Sequence, residues 1–365
     1  MGLKCGIVGL PNVGKSTLFN ALSDAGAEAA NFPFCTIEPN VGIVIVPDER
    51  LEILEKIVNP QKVQPTIVEF VDIAGLVKGA SKGEGLGNKF LANIRGVDAI
   101  VHVIRCFEDD NIVHVSGKVD PVDDKAVIDT ELQLRDLESV QKKIQKYEKL
   151  SKSGDAESKK IHASLKKVEE HLLGGNNVRN LELEEADEEA TEDLQLLTQK
   201  PVIYLANVSE ADAANGNDNV DLLRVSVKEE GAEVIVLCAA LEEQIAELEE
   251  EEEREMFLSE YGLTESGLDK LIKVSYDTLS LITYFTAGEK EVRAWTIEKG
   301  WKAPKAASVI HTDFEKGFIR AEVIKITDYE KYQTEAKCRE AGKLSVEGKE
   351  YTVEDGDIMH FRFNV

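Results

Sequence analysis

The sequence predicts an α/β fold with a mostly parallel sheet, an inserted antiparallel helical hairpin of the coiled-coil type, and a small C-terminal β-rich domain. Short β-branched runs alternate with helical or glycine-rich stretches, which is typical of a parallel sheet with crossover connections. This alternation is interrupted once by a helical period and ends at about residue 279. The predicted limits are 1–128 and 196–278 for the α/β domain, 129–195 for the insertion and 279–365 for the last domain.

The strands of the first domain are predicted from apolar runs of four to six residues. Such runs, buried on both faces, are characteristic of strands covered by helices on both sides of a sheet. They lie at 5–8, 41–46, 66–71, 99–104, 201–206 and 234–237.

The insertion is predicted from two apolar stripes with a spacing of three and four residues. Turn chemistry at 151–155 separates the stripes, which indicates two antiparallel helices. The segment 135–171 carries ten Lys or Arg and seven Asp or Glu, a net charge of +3. The stripes consist of Leu137, Val140, Ile144 and Tyr147, and of Ile161, Leu165, Val168 and Leu172.

The last part of the chain shows short alternating patterns separated by glycine-containing turns. Strands are predicted at 291–296, 318–323, 351–353 and 358–363. Bases and acids are nearly balanced in this part of the chain, unlike the whole protein. We therefore predict a separate domain here.

The net charge of −26 and the pI near 4.7 argue against a protein that covers nucleic acid or an acidic membrane with its whole surface. No run of eighteen apolar residues occurs, and the first strand begins without a basic leader, so the chain is predicted to be cytoplasmic. The five cysteines are far apart and predict reduced thiols. The acidic runs 182–193 and 242–255 are either solvated helix faces or a surface for a protein partner.

A glycine-rich motif follows the first predicted strand. The segment Gly9-Leu-Pro-Asn-Val-Gly14-Lys15-Ser16 fits G-x-x-x-x-G-K-[ST] and precedes a helical pattern. Its glycines let backbone N–H groups surround phosphate oxygens, and the helix N-terminus adds its positive end. We predict a nucleoside-triphosphate site in which Lys15, a candidate catalytic residue, reaches the β- and γ-phosphates while the Ser16 hydroxyl ligates Mg²⁺.

Two further magnesium ligands are predicted downstream of this motif. Asp72-Ile-Ala-Gly75 follows the third strand, so Asp72 is expected to hold Mg²⁺ through water and the Gly75 amide to sense the γ-phosphate. Thr36 is the candidate for the second side-chain ligand, unless it is an ordinary loop threonine. The glycine-rich segment 79–87 predicts a switch that reorganises between nucleotide states.

The loop expected to contact the base departs from the N-K-x-D pattern of ordinary GTPases. In Asn207-Val-Ser-Glu210 the lysine is missing and Glu210 replaces the aspartate that binds guanine. Loss of guanine specificity is predicted, because hydrogen-bond readout discriminates strongly between polar ligands. Asn207 and nearby backbone groups could serve adenine. Ala239 and Ala240 follow the next strand and are the predicted small-residue contact to the base.

The motifs do not identify the group that positions the attacking water. Leu76 stands where many GTPases carry glutamine, and leucine forms no side-chain hydrogen bond. Turnover is therefore slow, or another group orients the water. His114, in the polar loop 108–116, is the candidate catalytic residue unless it is simply an exposed histidine. The Asn12 amide oxygen either coordinates K⁺ between the phosphates or Asn12 merely favours the turn.

At these residues the sequence resembles the YchF or Obg-like ATPase family of P-loop NTPases. Segments 9–17, 31–40, 72–88 and 207–210 carry the resemblance, which covers essentially the whole chain. It implies a P-loop NTPase domain, an inserted coiled coil, a TGS-like α+β domain at the C-terminus, preference for ATP over GTP, and association with ribosomes. It places the nucleotide contacts on Asn12, Val13, Gly14, Lys15, Ser16 and Thr17, and Mg²⁺ ligation on Ser16 and Thr36.

Two classes of function remain open from the sequence. The first is a slow Mg²⁺-dependent ATPase acting as a molecular switch, with a GTPase of the Obg type as its variant. The second is an RNA- or ribosome-binding module in which nucleotide is only a regulatory ligand, suggested by the lysines of the hairpin. Those lysines could equally serve to keep a coiled coil soluble. No DNA specificity and no membrane contact are expected.

Overall fold

The computed structural model describes residues 3–25, 40–73, 94–152, 155–248 and 250–364. Its first sheet has the order β2-β4-β1-β5-β6-β7, and every neighbouring pair is parallel except β2 with β4. The predicted mostly parallel sheet is thereby confirmed. Its strands are β1 Leu3–Val8, β2 Val41–Ile45, β4 Ile67–Asp72, β5 Ala99–Arg105, β6 Val202–Asn207 and β7 Val234–Leu237.

Helices flank this sheet, whose central strands are apolar on both faces. β5 and β6 are buried at every position, so they form the centre of the largest apolar core. The helices of this part are α1 Lys15–Ala25, α2 Glu49–Val58, α6 Asp218–Val227, α7 Ala239–Ala246, α8 Glu251–Glu260 and α9 Gly267–Thr278.

The predicted hairpin consists of α3 Pro121–Ser151 and α4 Ala156–Leu173. All eight predicted stripe residues belong to one apolar cluster, which also includes Val178 and Leu196. Asp120 caps α3 by accepting a hydrogen bond from the Asp123 N–H, and Asp155 caps α4 through the Ser158 N–H. Helix α5 Glu185–Thr191 packs against α4.

The second sheet has the order β11-β10-β12-β8-β9-β3. Three of its strands match the predictions, but no strand forms at 351–353, where Thr352 makes only an isolated bridge to Lys302. The remaining helices are α10 Ala303–Ser308, α11 Thr312–Lys316, α12 Ile326–Tyr332 and α13 Glu335–Glu340. The strands are β3 Val63–Gln64, β8 Leu281–Ala287, β9 Val292–Glu298, β10 Phe318–Lys325, β11 Ser345–Glu347 and β12 Asp357–Phe363.

An unpredicted connection joins the second sheet to the N-terminal part of the chain. β3 pairs in parallel with β9, Val63 opposite Val292. Leu54 of α2 is buried in the same cluster as Phe285. The Arg50 guanidinium donates to Asp48 at 2.8 Å and to Asp355 at 2.5 Å. The segment between β2 and β4 is therefore packed into the second sheet.

The four cysteines that the structure describes, at positions 5, 106, 238 and 338, are free and buried, as predicted for reduced thiols. None of the helices in the described ranges is both long enough and apolar enough to cross a bilayer.

A buried carboxylate links α7 to α9. Glu242 is 2% exposed and accepts hydrogen bonds from the Gly267 N–H at 2.8 Å and the Leu268 N–H at 3.2 Å. These donors lie at the N-terminus of α9, where a negative charge is stabilised. Burial nevertheless outweighs both bonds and raises the pKa of Glu242 from 4.5 to about 7.

We expect this carboxylate to make stability depend on pH near neutrality. A folded-state pKa above the unfolded value means that the folded protein binds the proton more tightly. The contribution is therefore fully present below about pH 4.5 and lost as pH rises through about 7. Relative to the Glu242→Gln variant, the wild type should lose up to about 3 kcal/mol of unfolding free energy between pH 4.5 and pH 8. Urea titrations across this range measure it.

The variant Glu247→Gln, at the exposed residue that follows α7, is the control for simple loss of a negative charge. It removes a carboxyl group that is not buried. A Glu242→Gln difference from wild type that does not change with pH would show that the buried carboxyl titrates normally.

Candidate nucleotide-binding site

The glycine-rich motif forms the turn between β1 and α1. Gly14 has φ +94°, and a Cβ atom built there would lie 2.2 Å from Asn207 Nδ2, so only glycine fits. Asn12 has φ 62°, in the left-handed region that asparagine tolerates. The Leu18 N–H donates to the Gly14 carbonyl, which begins α1. The first N–H groups of α1, including those of Ser16 and Thr17, are thus available to an anion.

The Lys15 side chain lies across the same turn. Its Nζ donates to the carbonyls of Gly9 at 2.7 Å and Leu10 at 2.9 Å. Burial lowers the pKa of the Lys15 ammonium, and the nearby Asp72 carboxylate opposes that shift. The ammonium is therefore held over the loop, where an incoming phosphate would strengthen its charged form.

Asp72 ends β4 beside β1, with its N–H bonded to the Asn40 carbonyl. Burial raises the pKa of its carboxyl, which the Lys15 charge opposes. Its Oδ1 is buried and has no hydrogen-bond partner among the described residues. An orphaned carboxylate oxygen and the exposed Ser16 hydroxyl are oxygen donors of the kind Mg²⁺ prefers, so these residues fit a magnesium ion.

Two predicted phosphate-site residues, Thr36 and Gly75, lie outside the described residues. Their assignments as a magnesium ligand and a γ-phosphate contact stay predictions.

At the other end of the site, Asn207 is buried and both ends of its amide contact protein. Nδ2 donates to the Val13 carbonyl at 2.9 Å, and Oδ1 accepts from the Ala239 N–H at 3.0 Å. The amide therefore joins the phosphate loop to the β7–α7 turn. Asn207 also lines the cavity described below, and its contact with adenine stays a prediction. Glu210 and Ala240 are exposed on the same cavity.

One cavity of about 770 Å³ connects the phosphate loop with these base-side residues. It brings together almost all the described candidates; Val13 lies buried behind the loop, while Asp72 and His114 are not in its lining. Sequence reasoning missed one wall, although its position after the carboxyl end of β5 was a usable signal. That wall consists of Phe107, Glu108, Asp109 and Ile112.

A buried arginine organises the missed wall. The Arg105 side chain, 2% exposed, donates to the carbonyls of Phe107 at 3.0 Å, Asp109 at 3.3 Å and Ile112 at 2.9 Å. Its guanidinium also lies 4.5 Å from the centre of the Phe107 ring. Farther along the loop, Asn12 Nδ2 donates to the Val113 carbonyl at 3.1 Å, which uses the amide nitrogen and not the oxygen predicted for K⁺.

His114 is not the exposed loop residue that was the alternative to a catalytic role. Its side chain is 5% exposed, with Nε2 located 2.9 Å from Asp124 Oδ2. The Ser116 N–H donates to Nδ1 at 3.2 Å. Both ring nitrogens thus contact the protein, so any contact with a nucleotide-bound water requires the loop to rearrange.

Comparisons with known proteins agree with the predicted fold. A family model described as "50S ribosome-binding GTPase" matches residues 4–147, and a model for the C-terminal part of YchF GTPases, described as a protein of unknown function, matches residues 281–364. The chain is similar to the ribosome-binding ATPases YchF of Bacillus subtilis and Escherichia coli O157:H7, at 58% and 57% identity over 100% of each chain.

A solved structure, that of the Schizosaccharomyces pombe YchF GTPase, superposes with a TM-score of 0.88 at 42% identity. The match covers 99% of this chain and 98% of that one. The fold predicted from the sequence is confirmed by this likeness.

Proposed function

The chain belongs to the YchF family, and from that premise we propose that it is a slow Mg²⁺-dependent ATPase that acts as a switch on the ribosome. The observation that carries the proposal is the single cavity running from the N-terminus of α1 to a base-side loop without the guanine-binding pair of lysine and aspartate. Relatives named ribosome-binding ATPase support both parts. A cytoplasmic location of the protein follows from the proposed contact with the ribosome.

The phosphates would be bound by Lys15 and by the N–H groups of residues 12–17, which close round them at the start of α1. Ser16, Asp72 through water, and Thr36 would hold Mg²⁺, which neutralises phosphate charge when bound. Water attacks the γ-phosphorus in line while the bond to the bridging oxygen breaks, and the proton of the water passes to phosphate. His114 would orient this water once its loop rearranges.

The base would lie between the wall held by Arg105 and the residues Val208–Glu210 and Ala239–Ala240. Because Asn207 is bonded to protein, we assign it to positioning the two loops, and we assign the choice of base to backbone groups around it. Adenine requires a donor to N1 and an acceptor for its 6-amino group, and backbone supplies both. Guanine would need the lysine and aspartate that are missing here, so the site does not select for it.

Calorimetric titration of the purified protein with ATP and with GTP, in Mg²⁺, tests this assignment. We expect ATP to bind more tightly and to be hydrolysed with a low kcat. Measuring ATP turnover with K⁺ in place of Na⁺ tests whether the Asn12 amide oxygen coordinates K⁺. Measuring it with added ribosomes tests whether the protein acts as a switch on the ribosome. Tighter binding of GTP would identify a GTPase of the Obg type instead, and no binding of either nucleotide would reject the proposal.

A second candidate function, RNA binding through the hairpin, is favoured by the distribution of ion pairs. Lys142, Lys143, Lys152, Lys166 and Lys167 all pair with carboxylates. Four exposed lysines near the α3–α4 turn have no ion pair among the described residues. These four, which we call the tip lysines, are Lys146, Lys149, Lys159 and Lys160. They are the cations most available to phosphates, since they need not leave a carboxylate.

Replacing three tip lysines with glutamine, at positions 149, 159 and 160, should weaken binding to ribosomal RNA. Each phosphate contact contributes about one unit to the slope of log affinity against log salt, so we expect the slope to fall by about two to three. Filter binding at several salt concentrations measures it.

The matched control replaces three paired lysines, at positions 142, 152 and 166, which removes the same formal charge. This control should lower affinity only slightly and leave the slope unchanged. Equal slopes for both triple variants would show that the tip does not contact phosphate.

A further inference from the structure

The first turn of α3 supplies a carboxylate to the loop that bounds the nucleotide cavity. Asp124 Oδ2 lies 2.9 Å from His114 Nε2, and the two side chains are 2% and 5% exposed. The neighbouring Asp123 on the same turn is exposed. The pairing is therefore a specific buried contact and not part of a general acidic surface.

The hydrogen-bond partners determine the tautomer of His114. Nδ1 accepts a hydrogen bond from the Ser116 N–H at 3.2 Å, and a ring nitrogen that accepts a hydrogen bond carries no hydrogen itself. The hydrogen of the neutral ring is then on Nε2, which donates it to Asp124. The carboxylate thus selects the ring form whose Nδ1 is a hydrogen-bond acceptor.

Burying the Asp124 carboxylate in this position costs free energy of folding. Its Oδ1 is buried, and among the described residues it has no hydrogen-bond partner and no lysine or arginine pairs with the carboxylate. The other charged groups near it, Asp120 and Asp123, are acids and make the position less favourable still. A buried carboxylate that stabilises so little is better explained by what it does to the histidine.

The histidine is linked to the nucleotide site through its own loop. The preceding residue, Val113, is bonded to Asn12 of the phosphate loop, and Ile112 lines the cavity. For Nδ1 to face the cavity, the 3.2 Å contact from the Ser116 N–H has to break and the loop has to rearrange, whereas the contact with Asp124 is made by the other ring nitrogen. A ring held by a carboxylate at one nitrogen, with the other free to accept, is the arrangement that orients a histidine toward a reacting group.

We propose that Asp124 is a positioning residue that holds His114 by Nε2 so that Nδ1 accepts a hydrogen bond from the water attacking the nucleotide. The inference rests on the role of His114 in the proposed function. In this proposal Asp124 acts on the water only through the ring, and no proton transfer to the histidine is required.

A double-mutant cycle tests the proposal. Asp124→Asn keeps size and shape, but its amide can donate to Nε2 and so favour the ring form with hydrogen on Nδ1. We expect kcat for ATP to fall at least about tenfold with the ATP dissociation constant unchanged. In a His114→Ala background the same substitution should have no further effect, because Asp124 acts through the ring. Asp123→Asn, one residue away and exposed, is the control and should retain wild-type turnover.

Nitrogen-15 chemical shifts of the His114 ring provide a readout independent of activity. The wild type should show the form with hydrogen on Nε2, and Asp124→Asn should shift it toward hydrogen on Nδ1. The opposite form in the wild type would overturn the proposal even if the variant failed to fold.

The kinetic outcomes separate the positioning role of Asp124 from the proposed role of His114 in ATP hydrolysis. A kcat loss from Asp124→Asn that persists in the His114→Ala background indicates a structural role and overturns the proposal. An unaffected Asp124→Asn beside an impaired His114→Ala overturns only the role of Asp124. A His114→Ala variant with wild-type kcat removes the premise, while ATP binding and turnover would still support the ATPase.

Discussion

Replacing Lys15 with methionine should reduce ATP hydrolysis more than any other change to a described side chain. The ammonium bridges two carbonyls of the phosphate loop, and burial already lowers its pKa, so it is held where β- and γ-phosphate charge would replace those weak acceptors. Removing one such group from a preorganised site costs about 10²–10³ in kcat. Phosphate release at saturating ATP measures the loss.

Methionine keeps most of the length of the lysine side chain, so the fold should be retained. Lys56→Met, a 78% exposed lysine of α2, is the matched control and should hydrolyse ATP at the wild-type rate. A Lys15→Met protein with turnover within about twofold of the control would contradict the assigned phosphate site.

Replacing Asn207 with alanine should affect both stability and nucleotide binding. The amide is the only side chain in the described site that bonds both the phosphate loop, at Val13, and the turn that begins α7, at Ala239. Its removal leaves a buried carbonyl and a buried N–H without partners, which costs about 1–3 kcal/mol for each group. We expect the unfolding free energy to fall by about 2–6 kcal/mol and ATP affinity to fall at least tenfold, since the cavity walls separate.

Two further variants make the Asn207 test specific. Asn207→Asp retains the acceptor for Ala239 but replaces the donor to Val13 with a carboxylate oxygen, so it should weaken the contact with the phosphate loop at least as much as alanine does. Asn20→Ala removes an exposed amide from α1 and should change stability by no more than about 0.5 kcal/mol. Urea titration and calorimetry give both quantities. Full ATP affinity in Asn207→Ala would show that the two loops are positioned by other contacts.

Local patterns in the sequence predicted much of the architecture and the phosphate end of the site. The phosphate loop depends on glycines at fixed offsets between a strand and a helix, and the hairpin depends on apolar residues every three or four positions. Both patterns are formed by residues that are close together in the sequence. The structure bears out the parallel sheet and the hairpin for this reason.

The remaining features depend on contacts between distant residues. β3 is two residues long, and its partner Val292 lies more than two hundred residues away, so no periodicity could indicate the pairing. The burial of His114 depends on Asp124, and the orientation of the Asn207 amide depends on Val13 and Ala239. The sequence alone does not show that these polar side chains have partners in the protein.

Helix α3 has a mechanical consequence for any partner that docks at the far end of the hairpin. Its 31 residues form a rod about 45 Å long, with Asp124 in its first turn. If such a rod pivots at its first turn, sideways travel of about 3 Å at the distal end rotates it by only about 4°, and the carboxylate near the pivot shifts by a small fraction of that distance. Force behaves in the opposite way to displacement. A force applied at the distal end of the helix is multiplied close to the pivot, where Asp124 lies. A docked partner would thus press on the histidine pocket far more than it would displace it.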